Sequence, residues 1–260
     1  MINLYKRRKK AYEEFSKIIN EKSNVLLICY SYANVNINQY ELSPIITSIV
    51  ICSLDKNSEN KYFSLIKEAE KAKIDLDDLE DNYEELEYFL LEKFNSFLKT
   101  HRDYIWIHWD MNQIDYGFEA IKHRFDITAK ELNKELENIS NNNNFDLNYL
   151  LENMYGINYT EDSDRLKSLM KENNYVHSKD YMTTKQESEK FNENKFSQIT
   201  NSINAKINFM FTIIEKLQDK TLKIPIKNNY AKFIDIISHP VFHLIGWLAT
   251  IIGTSYTFYS

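Results

Sequence analysis

The chain has 260 residues, of which 43% are hydrophobic and 27% charged, so wholesale disorder is excluded and one sizeable core is expected. Only four glycines and three prolines are present, which disfavours a turn-rich β-sandwich or barrel and favours long helices. The formal net charge of -6 gives no overall attraction to nucleic acid or anionic lipid, so such binding would need a local basic patch.

Residues 1–21 predict an amphipathic basic helix, because apolar residues recur at helical spacing as far as Ile18 and Ile19. Five consecutive basic residues lie within it: Lys6, Arg7, Arg8, Lys9 and Lys10. The simpler interpretation is a solvated helix face. The alternative is that these side chains contact a ligand, namely the phosphates of a nucleic acid or lipid headgroups.

Residues 22–217 predict one α/β domain. Apolar and β-branched runs predict strands at residues 25–32 and 45–53, a weaker strand at 61–66, and another strand at 105–109. A helix with one apolar stripe is predicted at residues 81–100. Cys29 and Cys52 lie in strand-like runs, where two buried free thiols are favoured over a disulfide.

The pattern after residue 125 is helical. Helices are predicted at residues 128–139, 146–154, 162–171 and 194–217. Another is predicted to begin near Thr183 and Thr184, where the carboxylates Glu187 and Glu189 complete a capping-box pattern. The polar tract at residues 140–144 predicts a loop. The fold class is therefore α/β (α+β), with flanking helices followed by further helices.

The candidate site follows the strand at residues 105–109. Asp110, Asn112 and Asp115 come just past the strand end, before a helix that is predicted to begin near Tyr116. Ligands and catalytic groups collect at the carboxyl ends of strands in open α/β sheets. His108 and Asp110, joined by His123, are an alternative metal site, whereas the structural alternative has Asp110 capping the helix and His108 buried in the core.

Asn112, with Asp115-Tyr116-Gly117-Phe118, resembles the second motif of the DnaQ-type (DEDD) 3′–5′ exonucleases. The element order also resembles that family, in which three strands precede a helix, a fourth strand and a mainly helical remainder. The resemblance covers residues 22–217 and implies a ribonuclease-H-like mixed sheet. It also implies four carboxylates that hold two divalent metals for phosphoryl transfer.

The chain departs from this family at two motifs. The acidic first motif is replaced by Cys29, Tyr30, Ser31 and Tyr32, and Lys206 lies in the helix where the last acid is expected. The resemblance therefore implies a catalytically degenerate site without a cofactor. The alternative is an active metal-dependent nuclease that uses Mg²⁺ with Asp110, Asp115 and Glu119.

Residues 236–260 contain no Asp, Glu, Lys or Arg and predict a single transmembrane helix after a basic linker at residues 218–235. The lysines before it predict that the amino-terminal domain lies in the cytoplasm and the span in the cell membrane. Small residues on one helical face predict oligomerisation of this tail: Gly246, Ala249, Thr250 and Gly253. A buried terminal helix is the alternative.

Together these patterns predict a membrane-anchored, non-enzymatic sensor or effector that forms homo-oligomers or binds a partner protein. The layout resembles membrane effectors of prokaryotic antiviral defence, in which clustering of the tail perturbs the membrane. The alternatives are the metal-dependent nuclease and a soluble interaction module.

Overall fold

The computed structural model describes residues 2–34, 44–55, 59–111, 116–229 and 231–233. These residues form a mixed five-stranded sheet in the order β3-β2-β1-β4-β5. The strands are β1 (Val25–Ala33), β2 (Ile45–Ser53), β3 (Lys61–Ser64), β4 (Ile105–His108) and β5 (Asn144–Asp146). β2 is antiparallel to both β1 and β3, whereas β4 is parallel to β1 and β5 is parallel to β4. This mixed sheet agrees with the arrangement predicted from the sequence.

Helices lie on both sides of the sheet. They are α1 (Ile2–Asn20), α2 (Leu65–Ala72), α3 (Leu79–His101), α4 (Phe118–Thr128), α5 (Leu147–Tyr155), α6 (Arg165–Glu172), α7 (Thr184–Asn192) and α8 (Phe196–Gln218). Consecutive strand residues point to opposite faces. Phe63 of β3 packs against Phe94 of α3, while the neighbouring Tyr62 donates a hydrogen bond to Asn204 of α8 (2.8 Å). α3 and α8 therefore cover opposite faces.

The core explains why the central strands lack polar alternation. β1 is buried from Val25 to Ser31, and β2 is buried except at Ser48 and Ser53. A strand covered on both faces needs apolar side chains on both, so a continuous apolar run marks it in the sequence. The predicted central strands are thus confirmed.

The predicted helix at residues 128–139 is wrong. α4 ends at Thr128, and after a short 3-10 turn the chain continues without regular structure to Ser140. The Asn95 side chain of α3 explains this, because it donates to the Glu135 carbonyl (2.9 Å) and accepts from the Glu137 amide (2.8 Å). These tertiary hydrogen bonds replace helical ones.

Two further boundaries differ from the prediction. The third strand ends at Ser64, and the unpredicted helix α2 follows at once. The polar tract expected as a loop leads into β5, which pairs with β4 through Trp106 and Asn144, Ile107 and Phe145. The strand 105–109 ends at His108, and the helix expected near Tyr116 begins at Phe118.

Candidate ligand site between β1 and α8

A cavity of about 190 Å³ lies beside the end of β4. Because Leu27 of β1 pairs with Ile107 of β4, the turn after β4 lies next to Cys29 in the middle of β1. Residues of α6 and α8 form the other walls. The charged residues that line the cavity are Asp110, Asp164, Arg165 and Lys206. The predicted location of the site, at the carboxyl end of this strand, thus coincides with a cavity.

Asp110 is the predicted site residue that lines this cavity. Its backbone is left-handed (φ 54°), a conformation that asparagine and aspartate tolerate better than most residues. Its amide donates to Asp146 Oδ1 (3.3 Å), and its Oδ1 accepts from Asn148 Nδ2 (2.6 Å). Burial raises the pKa of Asp110, although the hydrogen bond from Asn148 acts in the opposite direction.

Asp146 is a second carboxylate beside Asp110. It caps α5, accepting from the amides of Asn148 (3.0 Å) and Tyr149 (3.3 Å). Burial, and then the negative charge of Asp110, raises the pKa of Asp146 to about 6. The predicted cap on α4 by Asp110 is wrong, because Gly117 precedes α4 and Asp110 binds α5 instead.

A polar network extends from Asn148 to α6. Its Oδ1 accepts hydrogen bonds from Arg165 Nη1 (3.2 Å) and from the Tyr159 hydroxyl. Arg165 also forms an ion pair with Glu152 and donates to the Ile157 carbonyl (3.0 Å). The guanidinium is therefore held rigidly, and it reaches the cavity with its charge already balanced by Glu152.

The opposite wall contains a buried ion pair between α8 and α7. Lys206 Nζ lies 2.7 Å from Glu187 Oε1, and the two side chains are 9% and 0% exposed. Burial raises the pKa of Glu187, whereas the Lys206 ammonium acts against this rise. The ammonium also lies 5.5 Å from the centre of the Tyr181 ring. This pair places a positive charge at the cavity where the resemblance would require a carboxylate.

Cys29 faces the same cavity as a free thiol. Burial raises the pKa of this thiol to about 12, although Lys206 acts in the opposite direction. The thiolate is the nucleophilic form of cysteine. Cys29 is therefore protonated at neutral pH and does not provide a nucleophile.

His108 is completely buried and stabilises the turn that carries Asp110. Its Nδ1 accepts a hydrogen bond from the Met111 amide (3.1 Å), and Phe118 packs edge-on against its ring at 5.7 Å. His108, the last residue of β4, faces the core, whereas Asp110 in the turn after it lines the cavity. The two therefore do not form the predicted alternative metal site. His123 is exposed on α4.

The residues around this cavity do not fit two divalent metals in the manner of the DEDD family. Among the described parts of the chain, no three His, Cys, Asp or Glu side chains form a group that could hold a metal. Asp164 caps α6 and accepts from the Tyr181 hydroxyl, which occupies its oxygens. The Lys206 ammonium would repel a divalent cation at this wall.

The other predicted nuclease residues are not gathered here. Glu119 is exposed in the first turn of α4 and does not line the cavity. Asp115 and Asn112 lie outside the described residues. The turn that follows Asp115 in sequence is nevertheless tightly determined, because a Cβ on Gly117 (φ 145°) would lie 1.7 Å from the Met111 carbonyl oxygen.

The predicted basic contact residues lie on α1, which packs against α5. Arg8 is buried and donates to the Met154 carbonyl (3.0 Å), and Arg7 Nε donates to Asn153 (2.9 Å). Lys6, Lys9 and Lys10 are exposed. The run is therefore not a uniform solvated face, since Arg8 belongs to the packing between helices.

The predicted oligomerisation residues Gly246, Ala249, Thr250 and Gly253 lie outside the described residues, as does the whole segment 236–260. Within the described residues, no helix has the length and apolar character needed to cross a membrane.

Sequence reasoning missed the partners that shape this site. The sequence shows Lys206 in the place of an acid, but it predicts only a helix-capping role for Glu187 and not the ion pair. The signal was available: Lys206 shares an apolar stripe of α8 with Ile203 and Met210, so it had to be buried and paired. The network of Arg165 with Glu152 had no comparable signal.

Comparisons with known proteins identify no family for this chain. No protein-family model matches it, and no curated protein matches it. Among solved structures, the exonuclease (EXO) domain of Nibbler from Aedes aegypti resembles it with a TM-score of 0.32 and 10% sequence identity, over 83% of this chain and 93% of that one.

Proposed function

We propose that this chain is a non-enzymatic sensor with a catalytically degenerate, exonuclease-like domain. Its C-terminal segment anchors it in the cell membrane, with the domain on the cytoplasmic side. The observation that carries the proposal is the Lys206–Glu187 pair at the cavity. A buried ammonium stands in place of the negative charge that a metal-dependent nuclease needs at this wall.

The cavity is the proposed sensing site. Its volume of about 190 Å³ is below the roughly 300–1,000 Å³ of typical pockets for drug-sized ligands. It suits a small polar molecule or the terminal group of a larger ligand. Lys206, Arg165 and Asp110 would recognise such a group, because both signs of charge converge there without a cluster of acids.

The membrane role rests on the sequence of residues 236–260, which is uncharged and long enough for a single span. Its small residues support close packing between copies of the tail, from Gly246 to Gly253. Binding in the cavity would then change the clustering of the tails. An effector role in prokaryotic antiviral defence is the biological setting that this layout suggests.

A nuclease assay tests the degenerate site. End-labelled single-stranded DNA and RNA are incubated with the full chain and Mg²⁺ or Mn²⁺, beside Asp110→Asn and Asp115→Asn variants. We expect that the native chain does not shorten the substrate, and that neither substitution changes this result. Metal-dependent shortening from the 3′ end, lost in Asp115→Asn with the fold retained, would establish the active nuclease instead.

A further inference from the structure

Two basic segments that are far apart in sequence meet at one side chain. Arg8 of α1 lies 5.7 Å from the centre of the Tyr155 ring, and Lys227 lies 5.8 Å from the same centre. The backbone fixes this meeting, because the Asn228 amide donates to the Tyr155 carbonyl (2.8 Å). The basic helix α1 is thus adjacent to the chain that leads to the uncharged segment 236–260.

Arg8 fixes the orientation of α1. Its side chain is 6% exposed and donates to the Met154 carbonyl, while Ala11 and Ile18 on the same side of the helix are also buried. The remaining basic side chains of the run therefore point outward. Lys227, which is half-buried against Tyr155, and the exposed Lys232 belong to the segment that meets α1 there, and we call these six side chains the basic face: Lys6, Arg7, Lys9, Lys10, Lys227 and Lys232.

Large apolar and aromatic side chains lie exposed beside these cations. Leu4, Tyr5 and Tyr12 of α1 are 39%, 50% and 38% exposed, and Phe233 is 56% exposed. Exposed aromatic and aliphatic side chains among lysines are typical of helices that lie at the surface of a membrane. Cations alone would bind any polyanion. Cations together with exposed apolar side chains favour a membrane, which has anionic headgroups above an apolar interior.

The acidic residues on α1 offset only part of this charge. Glu13 and Glu14 pair with Lys9 and Lys10, each at 3.7 Å. Such exposed pairs are weak and screened by salt, so the lysines remain available to an external anion. The whole chain has a net charge of -6, which makes the concentration of cations here a local feature.

We propose that the basic face docks on anionic lipid headgroups and holds the domain against the membrane. This inference rests on the proposed anchoring of the chain by residues 236–260. Adjacency supports it, because Lys232 and Phe233 lie within four residues of the start of that segment. Each Lys or Arg near an anionic surface strengthens binding by about fivefold, so several cations act together.

The test uses the full chain reconstituted in vesicles of phosphatidylcholine, with or without phosphatidylserine. A water-soluble amine reagent labels the lysines, and mass spectrometry measures the labelling at each. We expect labelling of Lys6, Lys9 and Lys10 to fall several-fold in the anionic vesicles alone. The exposed lysines Lys99, Lys130 and Lys185 on other elements are internal controls and should not change.

A variant pair provides a second measurement in a flotation assay. Replacing Lys6, Lys9 and Lys10 by Gln should reduce the preference for anionic over neutral vesicles by roughly a hundredfold, from about fivefold for each of the three charges. The matched control replaces Lys99, Lys130 and Lys185 by Gln and should retain the preference. All six side chains are exposed, so neither variant disturbs the core.

The outcomes separate this inference from the proposed function. A high-pH carbonate wash of the same vesicles tests the anchoring. If labelling is equal in both kinds of vesicle and the protein resists the wash, the inference is overturned and the anchoring stands. Protection by anionic vesicles in protein that the wash releases supports the basic face and overturns anchoring. Protection by an added oligonucleotide, without any by anionic vesicles, overturns the inference in favour of nucleic acid.

Discussion

Two buried ion pairs lie on opposite faces of the sheet, and they are built differently. Glu87 of α3 is completely buried against Arg124 of α4, whose Nε lies 3.1 Å from both carboxylate oxygens. The Ile46 amide of β2 donates to the same carboxylate (2.7 Å). In the other pair, Glu187 meets the Lys206 ammonium at one oxygen, beside a cavity.

The difference shows how to separate a structural pair from a candidate binding group. The planar Arg124 guanidinium donates to both oxygens of Glu87, which also accepts from the Ile46 amide, so this pair joins α3, α4 and β2. An ammonium on a flexible stem at a cavity can instead reorient toward a ligand while it retains Glu187. The predictions below test this contrast, from the largest expected effect to the smallest.

Arg124→Met should have the largest effect. It leaves the fully buried Glu87 without its cation, a change that typically costs about 3–5 kcal/mol of unfolding free energy. Urea unfolding measures it. The double variant Glu87→Leu/Arg124→Met is the control and should recover most of the loss, whereas a single-variant loss below about 1 kcal/mol would contradict a structural role.

Lys206→Met should destabilise less, by about 1–3 kcal/mol at neutral pH, because Glu187 can take up a proton beside the cavity. Burial already raises the pKa of Glu187, and removing the ammonium raises it further. The folded state then binds this proton more tightly than the unfolded state. The loss should therefore be small below pH 4.5, the ordinary value, and grow as the pH rises.

Urea unfolding at several pH values checks this dependence, and Lys206→Arg is the matched control. A loss from Lys206→Met that is independent of pH would contradict uptake of a proton by Glu187.

Asp146→Asn tests a carboxylate whose charged neighbour is another acid, Asp110, whereas Glu87 and Glu187 each lie beside a cation. The pKa of Asp146 is raised from 3.8 to about 6, so its favourable contribution is complete below pH 3.8 and is lost as the pH rises through 6. Asparagine caps helices as well as aspartate does. At pH 7 the variant should be more stable by about 1–2 kcal/mol, after allowance for solvent screening.

Thermal unfolding at pH 4 and pH 7 measures this difference. The gain should disappear at the lower pH. An equal effect at both values would mean that lost capping, not charge, dominates.

The smallest expected effect concerns Cys29, whose thiol should react slowly with an alkylating reagent. With its pKa raised to about 12, the thiol is protonated at pH 8, and iodoacetamide should modify it far more slowly than an ordinary exposed cysteine. A Cys52→Ser background isolates the signal in mass spectrometry. Rapid native labelling of Cys29, comparable with labelling in urea, would show that the cavity is more open than described.

The sheet and the place of the cavity were predictable because apolar runs and strand ends are local signals. The buried run of β1 and the strand end before Asp110 are examples. The extended segment after α4 was not predictable, since Asn95 of another helix holds it by hydrogen bonds. Sequence periodicity cannot reveal a partner 40 residues away.

The chemistry of the site was predictable only in part. The sequence showed Lys206 in the place of an acid, but the side chain that neutralises it comes from α7. The capping box of that helix is formed by Thr183 and Gln186, so Glu187 is free of the capping role predicted for it and faces inward. Pairing between helices depends on tertiary packing, which local patterns do not encode.

The most direct test of the central contrast is whether the cavity binds a divalent cation. The electron paramagnetic resonance signal of free Mn²⁺ is measured while the full chain is added, beside Asp110→Asn. Because the Lys206 ammonium at the cavity would repel a divalent cation, we expect the free Mn²⁺ signal to remain unchanged by either protein. Loss of the signal with the native chain, and its return with Asp110→Asn, would contradict the account and place a metal where we place an ammonium.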